Sequence, residues 1–316
     1  MEKPSYGGQA VIEGVMMRGP GRIAVALRRP DGQVGVIAQD FAGWARGRPY
    51  LKWPVVRGAI ALGEALVLGV SSLLLSAQEM AESEGQKVGK LEMAGTLALS
   101  VVLAVVLFIL VPTWAVSPLT RAGARPWLLN LVEGLVRVVI LLGYVAGISR
   151  IGEIRRVLEY HGAEHKVIWA YESGEPLLVE RARSWPRLHP RCGTAFLLVA
   201  VVVSIICFAF LGWPGLLWRV TSRLALLPLV AGVAYEAIKF SARPGVLGRA
   251  LAAPGLWLQG FTTREPDDSQ IEVAISALRA VLDEDGPAAG DAGMEEDGEP
   301  GRAASDGGDG GDTLAG

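Results

Sequence analysis

Histidine and cysteine are scarce in this chain of 316 residues, which holds three of the first and two of the second. Two cysteines exclude a disulfide framework. Charge is also missing, but only locally. Residues 94–117, "AGTLALSVVLAVVLFILVPTWAVS", carry none over 24 positions. As a helix that run is about 36 Å long, enough for a hydrocarbon core of about 30 Å. There is no repeat of 20–50 residues and no glycine loop of the phosphate-binding type. Residues 1–30 have no apolar core of the kind a secretory signal carries, so none is expected. The arginines are dispersed around the apolar runs rather than gathered in one patch, so nucleic acid is not an expected partner.

Half of the residues, 51%, are hydrophobic, and they are concentrated in runs. A second clean run is 194–218. Two weaker ones are 127–149, with Glu133 and Arg137, and 223–240, with Glu236 and Lys239. Each of these charge pairs has a spacing at which it can neutralise itself on a helix. The pattern predicts an α-helical integral membrane protein with about four transmembrane helices, two in 94–149 and two in 194–240, and membrane lipids as its surroundings. The stretch 55–77 has the length of a span, but Glu64, Ser71, Ser72 and its glycines suit a buried or half-inserted helix. Basic residues favour the cytoplasmic side. The segments 1–54 and 150–193 hold eight Lys and Arg each. Four spans without 55–77 place both segments and the C-terminus in the cytoplasm.

Outside the runs, "RIAVALRRPDGQVGVIAQD" at 22–40 alternates on either side of a Pro-Asp-Gly turn, the pattern of a β-hairpin. "GGQAVIEGVMMRG" before it could add a strand pair, so 1–54 is expected to be a small β-rich cytoplasmic unit, with Glu13 and Arg18 as solvated edge residues. Ile151, Ile154, Leu158, His161, His165, Ile168 and Glu172 recur at helical steps, predicting a helix over 151–172. The segment 150–193 is then a cytoplasmic helix followed by a loop. Residues 241–282 read as interfacial and amphipathic helices, with Trp257 and Phe261 at the interface and a capping box of Ser269 and Glu272. From Asp283 to the end, 11 acidic residues, one arginine and ten glycines predict a disordered acidic tail.

All three histidines fall in one segment. "EYHGAEHKVIWAYE" at 159–172 holds His161 and His165, and "LHPRC" holds His189 and Cys192. One turn apart on a helix, two imidazoles can meet one ion. The string His-Gly-Ala-Glu-His fits the inverted zinc-peptidase pattern, in which the glutamate, here Glu164, serves as general base. Imidazole and thiol together favour a divalent transition metal, zinc first among them. Two arrangements follow. His161, His165, His189 and Cys192 together would fill four positions, as closed structural sites do. With Cys192 free, the three histidines would leave a position open for a water that Glu164 deprotonates.

The blocks "YGGQAVIEGVMMRGP", "EYHGAEHKVIWAYE", "LHPRCGTAFLL" and "TTREPDDSQIEVAI" together resemble the bacterial YqhQ-like membrane proteins of unknown function (domain of unknown function 1385). That family is often labelled as predicted metal-dependent enzymes. The resemblance spans about residues 4–280. It implies a multi-pass protein of the bacterial inner (plasma) membrane with a metal site. The expectation is a metal-dependent hydrolase at the cytoplasmic face, the alternative a scaffold or a metal-handling transporter in which the metal is structural.

Overall fold

The computed structural model describes residues 6–83, 85, 89–241 and 245–282. The acidic tail from Asp283 lies outside the described residues. The alternating N-terminal stretches form four antiparallel strands in the order β1 (Gly7–Val11), β2 (Gly14–Arg18), β3 (Arg22–Arg28) and β4 (Val34–Asp40). Gly32, at φ 85°, makes the β3–β4 turn that the Pro-Asp-Gly sequence announced. Because side chains alternate along a strand, β2 and β3 sort theirs onto two faces. Val15, Met17, Ala24 and Ala26 face one core, and Met16, Ile23, Val25 and Leu27 face another. Both faces are covered, so the sheet is the centre of a folded unit and not a surface flap.

Helices cover the two faces. On the first lie α6 (Gly152–Glu172) and α11 (Asp268–Leu282), which contribute Tyr160, Ala163, Val167, Ile271, Ala274 and Leu278 to one core. On the second lies α1 (Val56–Ser83), with Leu68 and Leu75 against the strands. Glu13 and Arg18, read from sequence as solvated edge residues, are instead tied down. Glu13 accepts from Arg156 of α6 and from the Tyr160 hydroxyl, and Arg18 donates to Glu64 of α1 at 2.5 Å. The capping box of α11 also sits two residues earlier than the sequence suggested. The Gln270 N–H donates to Asp267 Oδ1 at 2.9 Å, and the Asp267 N–H donates to Gln270 Oε1 at 3.0 Å. Glu272 is engaged elsewhere, by Arg28.

Among the described residues, four helices are long and apolar enough to cross a membrane: α1, the stack over 91–121, α5 (Pro126–Ile148) and α9 (Leu216–Ser241). The count is the expected one, but the membership differs. The run 194–218 makes only the 17-residue α8 (Gly193–Ala209). It stops at a turn where Gly212 has φ 67° and Pro214 follows. Conversely, 55–77 extends into a continuous helix of 28 residues. The whole stack, 90–121, comprises α2 (Lys90–Val105), a π turn (Val106–Leu110), α3 (Val111–Ala115) and α4 (Ser117–Arg121). Pro112 has no N–H to offer the Phe108 carbonyl four residues back, and Arg137 Nε of α5 donates to that carbonyl at 3.2 Å.

Arg137 also meets Glu133 at 3.0 Å, as its spacing predicted. The structure adds Arg223 of α9, which grips the same carboxylate with both terminal nitrogens, and Thr113, whose hydroxyl donates to it at 2.8 Å. Arg223 opened the run 223–240 in the sequence, but the helix begins at Leu216, which carries it inside. The pairing of Glu236 with Lys239 is likewise superseded: Arg57 of α1 holds Glu236 through Nε and a terminal nitrogen. There α1 crosses α9: a Cβ on Gly58 would run into Gly232 and Tyr235 of α9, and one on Gly232 would run into Val55, just before α1. The short α7 (Val179–Arg183) and α10 (Val246–Thr262) complete the chain.

Candidate metal centre

One stretch of α6 carries both histidines of the motif. Gly162, which weakens the helix in isolation, is where the 264–266 segment crosses over it: a Cβ there would strike the Arg264 carbonyl oxygen. That crossing brings the end of α10 onto His161, whose Nδ1–H donates to the Thr262 carbonyl at 2.7 Å. His165 donates its own Nδ1–H to the Arg187 carbonyl at 2.6 Å. A carbonyl only accepts, so both rings carry their proton on Nδ1 and present the lone pair of Nε2. Metal-ligating histidines are held in this way.

Both lone pairs converge with Cys192. His161 Nε2 lies 3.2 Å from Cys192 Sγ, and one ligand atom from each of His161, His165 and Cys192 falls within 4.8 Å of the others. A tetrahedral ion with usual zinc distances would hold nitrogen and sulfur about 3.5 Å apart. The donor set fits such an ion. Cys192 is the N-cap of α8 and takes the Thr194 N–H at 3.4 Å, so Sγ sits at the positive end of a helix, where an anionic ligand is favoured.

The connection from α7 to α8 is anchored by buried groups. Lys166 Nζ donates to the Arg183 and Trp185 carbonyls at 2.8 and 2.7 Å, and Trp169 Nε1 donates to that of Leu188 at 2.9 Å. Gln259 of α10 brackets His189 from both sides, accepting its N–H and donating to its carbonyl, each at 2.8 Å. These bonds fix the Arg187 carbonyl that orients His165. None of the three anchoring side chains stands out in the sequence, since each acts on a residue distant along the chain.

His189 is placed beside the cluster and not in it. Its ring centroid is 5.7 Å from that of His165. Its Nδ1 accepts the Arg191 N–H at 3.3 Å, so the neutral ring carries its proton on Nε2, the reverse of the other two. That Nε2 is buried without a hydrogen-bond partner and lies 3.6 Å from Glu172 Oε2. Burial lowers the pKa of His165 and of His189 below the usual histidine value, which favours neutral rings.

Glu164 points two oxygens two ways. Oε1 accepts the N–H of Gly8 from β1 at 3.0 Å, and Oε2 lies 3.9 Å from His161 Nε2. Gly8 is needed for this approach, because a Cβ there would come within 2.9 Å of Glu164 Cγ. Burial pushes the Glu164 carboxyl above the ordinary glutamate range, against the opposing pull of His161, His189 and the Gly8 N–H. Gly7 and Gly8 also line a cleft of about 610 Å³ between the sheet, α1 and α9, together with Arg18, Glu64, Arg191 and Tyr235.

Residues 53–284 match a family described as a protein of unknown function (DUF1385). A relative from Bacillus subtilis (strain 168), the uncharacterized protein YqhQ, is 36% identical over 297 residues, covering 88% of this chain and 92% of its own. No solved structure matches the chain.

Proposed function

The chain belongs to the DUF1385 family, and from that premise we propose that it is a metal-dependent membrane hydrolase with its centre at the cytoplasmic face of the bacterial plasma membrane. The convergence of His161 Nε2, His165 and Cys192 Sγ, with both imidazoles locked by carbonyls behind them, carries this reading. Three ligands leave one position open, as hydrolytic centres require. Zinc suits two imidazoles and a thiolate best. A divalent ion held there would supply Lewis acidity to the reacting group. Glu164 would take a proton from the attacking water: one oxygen is anchored on Gly8 and the other turned toward the ligands, and its raised pKa places proton uptake nearer neutrality. The two segments with eight basic residues each, 1–54 and 150–193, support a cytoplasmic centre and cytoplasmic termini.

A second reading rests on the burial of the centre. His165 is 2% and Cys192 6% exposed, as suits a structural ion within a scaffold or a metal-handling transporter. The substitution Glu164→Gln separates the two. Purified without chelators, the wild type should carry about one metal per chain, and so should Glu164→Gln. The variant should fail to complement a deletion strain if Glu164 moves a proton, and should complement fully if the ion is structural. Wild-type protein free of stoichiometric metal would sink both readings.

A further inference from the structure

We propose that α1 and α10 do not cross the bilayer but lie in the plane of the leaflet beneath the sheet, forming a docking surface for anionic lipid, and that the chain crosses four times through 90–121, α5, α8 and α9. The proposal is independent of any metal chemistry. It begins with parity. The strands, α6 and α11 share one core, so they lie on one side of the membrane. The chain leaves this unit after β4 and returns to it at α6, so it crosses an even number of times between. Three elements fill the interval: α1, the stack over 90–121, and α5. One of them does not cross. The same holds between Cys192 and α11, where α8, α9 and α10 intervene.

Contacts identify the element that stays. From Glu64 to Ser76, α1 lies along the strands: Glu64 meets Arg18, Gly69 faces Gln9, Leu68 and Leu75 pack on the second core, and Ser76 Oγ accepts the Ile12 N–H at 3.2 Å. A helix so bound for about 18 Å to a sheet shared with α6 runs beside that unit and not away from it. The other two elements meet each other at matching depth. Thr113 near the end of the stack, Glu133 near the start of α5 and Arg223 near the start of α9 join in one cluster, and Asn130 reaches the Gly212 carbonyl in the turn after α8 at 3.0 Å. This is the geometry of antiparallel spans with 121–126 and 210–215 on the far side. At 17 residues α8 is within the length of a span. Pro254 lies inside α10, whose Gly255 packs against Ala195 and whose Thr262 meets Thr194, both near the start of α8.

The surfaces left over suit the leaflet. On α1 the side away from the strands exposes Leu66, Val67 and Leu73, and on α10 Leu247, Leu251 and Trp257 are exposed. Before α1, exposed Trp44, Tyr50 and Trp53 alternate with Arg46, Arg48 and Lys52, and no acidic residue occurs from 41 to 63. Aromatic rings interleaved with cations are the composition of an interface against anionic headgroups.

Single cysteines at Asp31, Ser83 and Ala122, all exposed, test the arrangement in a full chain carrying Cys207→Ser. In sealed vesicles, a membrane-impermeant maleimide should reach 31 and 83 from the same side and 122 from the other. Labelling of 83 from the side opposite 31 overturns the proposal, whatever the orientation in cells. Spin labels at Val56 and Leu73, about 25 Å apart along the helix, give an independent reading in nanodiscs containing anionic lipid. Equal depths near the headgroups support an in-plane α1. Depths that differ by most of the hydrocarbon thickness overturn it.

Discussion

Glu133 and Glu164 are both carboxylates removed from solvent, at 1% and 6% exposure, and the molecule treats them in opposite ways. Around Glu133 every bonding direction is taken: Arg137, Arg223 and Thr113 converge on it, and Asn130 bonds Arg223 in turn. The cluster is closed, and its chemistry is spent on holding α5, α9 and the stack over 90–121 together. Around Glu164 the bonds point outward. His161 and His165 are fastened from behind, Glu164 is fastened by one oxygen, and lone pairs are left facing one another with Cys192 between. Buried charge alone therefore does not mark a site; buried polar atoms left with bonding capacity do.

The comparison breaks first at its closed end. Glu133→Ala would leave two arginines facing each other in low dielectric, and breaking a buried pair costs about 3–5 kcal/mol. Thermal unfolding in detergent should show that loss, or no folded protein should be recovered. Glu133→Gln, which keeps an acceptor, should fall between. Wild-type stability in Glu133→Ala would mean that the cluster holds nothing together.

At the open end the expected effect is on a ligand and not on the fold. His165→Ala or Cys192→Ser should lower metal affinity by more than the roughly 10–100-fold typical of a lost outer partner, while the unfolding midpoint of the metal-free protein stays close to wild type. His189→Ala should retain the metal, because its Nδ1 is engaged by Arg191 and its Nε2 carries the proton. Equal loss in all three would restore the set of three histidines and one cysteine that the sequence suggested.

Sequence exposed what depends on neighbours and hid what depends on distance. The apolar runs, the hairpin at 22–40 and the spacing of His161 and His165 are local patterns, and each reappears in the fold. The carbonyl behind His161 comes from 101 residues away, the N–H on Glu164 from 156, and the arginine on Glu236 from 179. No periodicity reports such partners. A charge pair three or four residues apart looks self-sufficient in sequence, and for Glu236 a better-placed guanidinium on another helix prevails. Arg223 was hidden for a different reason, since the helix begins seven residues before the apolar run that defined it.

An intermediate effect sharpens the contrast between fastening and ligation. Lys166 touches no proposed ligand, yet it anchors the Arg183 and Trp185 carbonyls upstream of the one that orients His165. Lys166→Met keeps most of the aliphatic stem and removes those bonds. Metal affinity should fall by about 10–100-fold, read by competition with a chelator of known affinity. An unchanged affinity would show that the Arg187 carbonyl needs no such support.

The smallest effect lies at the start of α11, where sequence and structure disagree about which residue caps the helix. Asp267 and Gln270 exchange reciprocal bonds there, and the Ser269 hydroxyl donates to Asp267 Oδ1 at 2.6 Å instead of capping. Removing an N-cap side chain costs about 1 kcal/mol. Asp267→Ala should therefore lower stability by about that amount, because the Gln270 N–H and the Ser269 hydroxyl both lose their acceptor. Ser269→Ala should cost only a few tenths, since its hydroxyl supports the cap without being it. The order matters more than either value. If Ser269→Ala were the costlier change, the box of Ser269 and Glu272 would be the true one. Glu272 would then have to leave Arg28, and with it one of the links that fasten α11 to β3.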